Sequence, residues 1–71
     1  MPRLPRLSAK EVIKKLEKAG YYEDRQKGSH LQFKHATRPP TTVPLHDIIG
    51  PGLLRQILRE TKLTLQEFLD L

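Results

Sequence analysis

The sequence contains two signals for the start of a helix, one near each end of the chain. Ser8 is followed three residues later by Glu11, and Thr64 is followed three residues later by Glu67. In such a pair the hydroxyl accepts a hydrogen bond from the backbone N–H of the acidic residue, and the carboxylate accepts one from the backbone N–H of the hydroxyl residue. The first pair predicts a helix that ends near Gly20, and the second predicts a brief helix at the end of the sequence.

Three short strands are predicted in the middle of the chain. Aromatic and β-branched residues favour pleated structure, and they indicate a weak strand over residues 21–27, a strand over 30–35 and a third over 41–45. Pro44 has no N–H to give to a neighbouring strand, so the third strand is expected to lie at a sheet edge or to end there. The short connections predict an antiparallel meander.

Alternation along the strands separates a core face from an open face. Leu31 and Phe33 fall on one face of the second strand, whereas His30 falls on the other. In the third strand Val43 and Leu45 are expected to face the core. His30 is therefore predicted to stand on the open, polar face of the sheet.

A second helix is predicted from Pro51 onward, because proline at the first helical position loses no hydrogen bond. Its apolar stripe comprises Leu53, Leu54, Ile57 and Leu58. The expected fold is α+β in the order α-β-β-β-α-α, with helices on one face of a three-stranded antiparallel sheet. Residues 1–71 are expected to form one domain, with residues 1–7 as an extended arm.

Positive charge is concentrated in the first half of a chain whose formal net charge is +5. Residues 1–38 carry ten Lys and Arg against four acidic side chains, and residues 39–71 carry three against four. Such a basic footprint points to an anionic partner such as nucleic acid. The absence of cysteine excludes disulfides, and no apolar stretch approaches the ~20 residues of a membrane span. A cytoplasmic protein is expected.

The turn at Gly28-Ser29 delivers a histidine onto the second strand. Histidine is the side chain whose ordinary pKa, ~6.5, suits proton transfer near neutral pH. We assign proton transfer to His30 and phosphate neutralisation to Lys27 and Lys34. The backbone N–H groups of Gly28 and Ser29 are expected to donate to the phosphate. Together they predict phosphodiester chemistry on a nucleic acid.

The other two histidines are expected to be structural. His35 shares strand parity with the apolar residues, so it is predicted to lie beside the core, and His46 follows the third strand. His30 and His35 have opposite parity, and no Cys or convergent carboxylates complete a zinc site. Neither a metal nor a cofactor is expected.

Four motifs follow one another in the sequence. They span Ser8 to Tyr21, Arg25 to His30 ([KR]-x-K-G-S-H), Thr42 to His46 (T-V-P-x-H) and Pro51 to Leu69. In this order and spacing they resemble the HicA-type mRNA interferase toxins of type II toxin–antitoxin systems.

The resemblance implies a fold similar to double-stranded-RNA-binding domains and metal-independent endoribonuclease activity. The histidine that the family requires corresponds to His30. Arg25 lies in the same motif and is a further candidate for RNA binding. Leu31 stands where many members carry a second histidine. A HicB-type antitoxin is implied as the partner that covers this site, which makes His30 an antitoxin contact as well.

Two alternatives come from other functional classes. A non-catalytic double-stranded-RNA-binding module would recognise A-form RNA by shape and phosphate contacts, but it typically begins its last helix with lysines, and residues 50–54 contain none. A protein-interaction module would use a ridge of basic residues spaced along one helix face. The residues Arg55, Arg59 and Lys62, called the basic ridge below, are candidates for contact with an acidic antitoxin surface.

Overall fold

The structure, a computed structural model, describes residues 4–46 and 48–71, and the described chain is α+β as predicted. Its elements in chain order are β1 (Leu7–Ser8), α1 (Ala9–Lys18), β2 (Tyr22–Lys27), β3 (His30–Lys34), β4 (Thr41–Pro44), β5 (Ile48–Ile49), α2 (Pro51–Thr61) and α3 (Leu65–Leu69).

The predicted meander is present as a three-stranded antiparallel sheet in the order β2-β3-β4. β4 lies at one edge, as Pro44 predicts. Leu31, Phe33 and Val43 are buried on one face of the sheet and share a single apolar core with residues of α1 and α2. The helices therefore cover this face, and the opposite face stays open.

Both predicted capping boxes are formed. The Glu11 N–H donates to Ser8 Oγ at 3.1 Å, and the Glu67 N–H donates to Thr64 Oγ1 at 3.1 Å. α1 ends where Gly20 adopts a φ of +102°, a conformation that glycine adopts without steric cost. Local sequence signals thus set the starts of α1 and α3 and the end of α1.

One predicted core residue and one strand pair differ from expectation. Leu45 was expected inside but is 40% exposed, because the β4 ladder ends at Pro44 and alternation does not extend beyond it. β1 pairs with β5, Leu7 opposite Ile49, in a two-stranded sheet that local patterns did not predict. Residues 1–3 of the predicted arm lie outside the described residues.

The loop between β3 and β4 is tied to the end of α1. His35 Nε2 donates to the Ala19 carbonyl at 2.9 Å, and its Nδ1 accepts from the Thr37 N–H at 3.0 Å. Tyr21 Oη donates to the Pro39 carbonyl at 2.8 Å, and burial raises the pKa of Tyr21. His35 is therefore structural, as predicted, and the loop that positions β4 beside β3 is fixed at two points.

Candidate functional site

The hairpin between β2 and β3 turns in two residues. Lys27 and His30 are the closing pair, and Gly28 has a φ of +58°. A positive φ at the first of two turn residues is the type II′ pattern, which favours glycine at this position. Gln26 Nε2 donates to the Gly28 carbonyl at 2.9 Å and holds the turn from the side. The turn thus positions His30 directly opposite a lysine.

The open face of β2 and β3 carries a band of cations around this histidine. Residues directly opposite each other in a sheet share a face. The register pairs Lys27 with His30, Arg25 with Gln32, and Tyr22 with Lys34. The structure therefore places Arg25, Lys27, His30 and Lys34 on one surface, called the basic face below.

A β-bulge between Glu23 and Arg25 makes this arrangement possible. An extra residue in one strand shifts its alternation, so Tyr22 and Arg25 lie on the same face although they are three residues apart. Tyr22 is 55% exposed. Sequence reasoning missed Tyr22 and the bulge, because bulges depend on pairing between strands and β2 shows no regular alternation.

Asp24, the residue within the bulge, forms ion pairs with two cations of the basic face. Its Oδ2 lies 3.7 Å from Lys34 Nζ and 3.9 Å from Arg25 Nε. The Asp24 side chain is 28% exposed, whereas those of Arg25 and Lys34 are 66% and 56% exposed. Pairs this exposed are weak, so both cations remain available to an anionic ligand, and Asp24 restricts where they lie.

The imidazole of His30 is exposed to solvent on this face. Within residues 4–46 and 48–71, no hydrogen bond holds its ring, in contrast to the fully bonded ring of His35. A histidine of this kind can exchange protons with a bound molecule without first breaking a structural contact. Lys27 opposite it can neutralise an anion at the same place.

The basic ridge lies on the other side of the molecule. Arg55 and Arg59 are exposed on α2, and Lys62 follows that helix in a left-handed conformation with φ +64°. Leu54 and Ile57 of α2 pack on the core face of the sheet, opposite to the face that carries His30. The structure therefore separates the predicted antitoxin contacts into two surfaces.

Among residues 4–46 and 48–71, no group of three or more His, Asp or Glu side chains is placed to hold a metal ion. None of the helices in that part of the chain has the length and apolar character that a membrane span requires.

The chain was compared with known protein families and with curated proteins. No curated protein matches it. The family model described as the HicA toxin of bacterial toxin–antitoxin systems matches residues 9–63, which include the whole basic face and all of α2. A toxin of such a system implies an antitoxin partner. The chain therefore belongs to the HicA toxin family.

Proposed function

We propose that this toxin is a metal-independent endoribonuclease that cleaves mRNA in the cytoplasm and is neutralised by a HicB-type antitoxin. The observation that carries the proposal is the exposed His30 at the end of a tight hairpin, opposite Lys27 and within a band of cations. Membership of the HicA toxin family supports the toxin role.

The reaction uses the 2′-OH of the RNA as nucleophile. A base removes the proton from the 2′-oxygen, a bond forms from that oxygen to phosphorus, and the bond to the 5′-oxygen breaks as that oxygen takes up a proton. The products are a 2′,3′-cyclic phosphate and a 5′-OH, and no external reactant is consumed. His30 is assigned a proton transfer in this step, a role that contributes roughly 10²–10⁴ to a rate.

The cations of the basic face bind the RNA backbone. Lys27 is placed to stabilise the charge that develops on the phosphate during attack. Arg25 and Lys34 extend the band along the strands and are assigned to neighbouring phosphates. The Gly28-Ser29 turn exposes backbone to the same ligand, because a glycine without Cβ permits close approach.

The basic ridge is proposed as a second antitoxin contact, alongside His30. Its exposed guanidinium groups suit bidentate pairing with carboxylates. An antitoxin that reaches both surfaces extends around the molecule, since α2 covers the face opposite to His30.

A non-catalytic double-stranded-RNA-binding module remains the second candidate, because the α-β-β-β-α order is shared with that class of domain. Residues 50–54, at the start of α2, carry no lysine to bind phosphates. The two functions differ in outcome: one cuts RNA and the other only binds a duplex.

The test is cleavage of an end-labelled single-stranded RNA by the purified protein, with and without EDTA. We expect the wild type to cleave the RNA in the presence of EDTA and to leave 2′,3′-cyclic phosphate ends. The cleavage rate should fall at least 100-fold in His30→Ala. Because His30 is exposed, the variant should unfold at the same temperature as the wild type.

Two controls sharpen this result. Gln32→Ala alters the same face without removing a proton carrier, so it should cleave at close to the wild-type rate. A DNA strand of the same sequence lacks the nucleophile and should stay intact. Full activity in His30→Ala would contradict the assignment, and tight duplex binding without cleavage would favour the second candidate.

A further inference from the structure

The end of β4 comes next to the Gly-Ser-His turn. Pro44 pairs directly with His30, and the Leu45 N–H donates to the Ser29 carbonyl at 2.6 Å. The chain therefore stays against the turn for one residue beyond the strand. His46 is the next residue, and it is exposed to solvent.

The register limits how far His46 can be from His30. Directly paired residues have Cα atoms about 4.5–5.5 Å apart, and two further residues span at most about 7 Å. The Cα atoms of the two histidines are therefore at most about 12 Å apart. Two side chains anchored at such a distance can reach one phosphodiester from different sides.

A cavity opens beside His46. Its volume is about 270 Å³, and it is lined by Ser8, Ala9, Lys10, Leu45 and His46. Leu45 connects the cavity to the turn, because the same residue donates to Ser29. The cavity thus adds an imidazole and an ammonium group to the end of the sheet where His30 lies.

The proposed reaction needs two proton transfers, and His30 supplies one group for them. One group takes the proton from the 2′-oxygen as its bond to phosphorus forms. A second group, entering as an acid, gives a proton to the 5′-oxygen as its bond to phosphorus breaks. Leu31, next to His30, carries no ionisable group and is buried, so it cannot serve.

We infer that His46 is the second proton-transfer residue of this site, and that Lys10 binds a phosphate of the RNA beside it. The inference rests on the proposed endoribonuclease activity. In the step above one of the two histidines accepts the proton of the 2′-oxygen and the other donates a proton to the 5′-oxygen. After the products leave, proton exchange with water returns both side chains to their starting states.

The charged groups around the pair are defined within the described residues. Lys10 of α1 lines the same cavity as His46, and Lys27 of β2 lies opposite His30. The nearby Glu11 carboxylate is held by Ser8, whose N–H and Oγ donate to it at 3.2 and 3.0 Å. A lysine therefore accompanies each histidine, across the strands at His30 and in the same cavity at His46, and Glu11 is engaged in a capping box.

The test removes each of the three histidines in turn and records the pH dependence of cleavage of a short fluorescent RNA. The wild type should show a bell-shaped dependence of kcat on pH, with one limb from each member of the pair. His46→Gln should lower kcat by roughly 100-fold or more, leave KM nearly unchanged and lose one limb. His30→Gln should lose the other limb.

His35→Gln is the matched control, because it removes a histidine that is bonded into the structure. It should lower the unfolding temperature and keep both limbs, whereas His46→Gln should keep the unfolding temperature. A substrate whose 5′-oxygen is replaced by sulfur needs no acid to release its leaving group. This substrate should restore the cleavage rate of only one of the variants His30→Gln and His46→Gln. The histidine that is missing from the restored variant is the acid.

The outcomes separate this inference from the proposed function. Cleavage by His46→Gln within tenfold of the wild type, with both limbs retained, would overturn the role of His46 alone. Restoration of both site variants, or of neither, by the sulfur substrate would also overturn it. A wild-type protein that does not cut RNA, or a fully active His30→Gln, would overturn the proposed function first.

Discussion

At the scale of single residues, the contact between Gly20 and His35 ties the end of α1 to the loop that precedes β4. A Cβ built on Gly20 would lie 2.8 Å from His35 Nε2, and the φ of Gly20 is +102°. Its neighbour Ala19 accepts the hydrogen bond from the same ring nitrogen. No side chain fits at position 20 without moving the imidazole.

Gly20→Ala is therefore expected to lower the free energy of unfolding by about 1–3 kcal/mol, the usual cost of a strained backbone conformation. The measurement is urea unfolding followed by circular dichroism. Gly52→Ala is the matched control: its Cβ would meet no atom within 4 Å, and it lies within α2. Alanine there should leave stability unchanged or slightly raised, and an equal loss in both variants would contradict the argument.

At the scale of elements, the capping boxes decide where α1 and α3 begin. In α3 the Thr64 N–H donates to Glu67 Oε1 at 2.9 Å. This backbone hydrogen bond, with a further contribution from the Thr64 hydroxyl, lowers the pKa of Glu67 below its ordinary value of 4.5. The fold therefore favours the ionised carboxylate.

The lowered pKa of Glu67 predicts a pH-dependent contribution to stability. A carboxyl whose pKa is lower in the folded state stabilises the protein above its unfolded pKa and loses this effect as pH falls through the folded pKa. Glu67→Gln should thus be less stable than the wild type at pH 7, and the difference should shrink below pH ~4. Thermal unfolding from pH 7 to pH 3 measures this.

Glu17→Gln, a substitution on the exposed face of α1, is the control for the loss of one negative charge. It should show no such trend. A Glu67→Gln difference that stays constant across the same pH range would mean that the charge of Glu67 plays no part in the cap.

The elements also show what could be predicted from sequence and what could not. Both capping boxes and the inward positions of Leu31 and Phe33 follow from residues close together in the chain, and the structure confirms them. The β1–β5 pair joins residues about forty positions apart, and the bulge at Asp24 depends on the partner strand. Neither leaves a local pattern, because both arise from tertiary pairing.

The candidate site, too, could be predicted from the sequence only in part. The position of His30 on the open face follows from strand alternation, whereas its distance from His46 depends on the register of β3 with β4. The wrong inward prediction for Leu45 has the same origin, since alternation has no meaning after the last paired residue.

At the scale of the whole molecule, positive charge lies on two opposite surfaces. The basic face carries Lys27 and Lys34 around His30, and the basic ridge carries Arg55 and Arg59 on α2. The apolar core and the sheet separate them. If RNA binds through the net charge of +5 alone, the two surfaces contribute equally. If it binds at the basic face, they do not.

Two double variants with the same loss of charge distinguish these cases. Lys27→Gln with Lys34→Gln, and Arg55→Gln with Arg59→Gln, each remove two positive charges. The ligand is a 2′-O-methyl RNA, which lacks the nucleophile and so cannot be cut. Each lost phosphate contact on a single strand reduces the slope of log K against log salt by about 0.7. The first pair should therefore reduce the slope by about 1.4, and the second should leave it unchanged.

For the lysine pair, Lys27→Gln with Lys34→Gln, the reduction of the salt slope is expected to be at least about 1.4 because of Asp24. Lys34 Nζ lies 3.7 Å from its carboxylate, so removal of the lysine leaves a negative charge on the basic face that repels phosphate. Asp24→Asn added to the lysine pair should recover part of the affinity at low salt. Equal slope changes in the two double variants would show that RNA binding follows total charge, and the basic face would then lose its place as the RNA-binding surface.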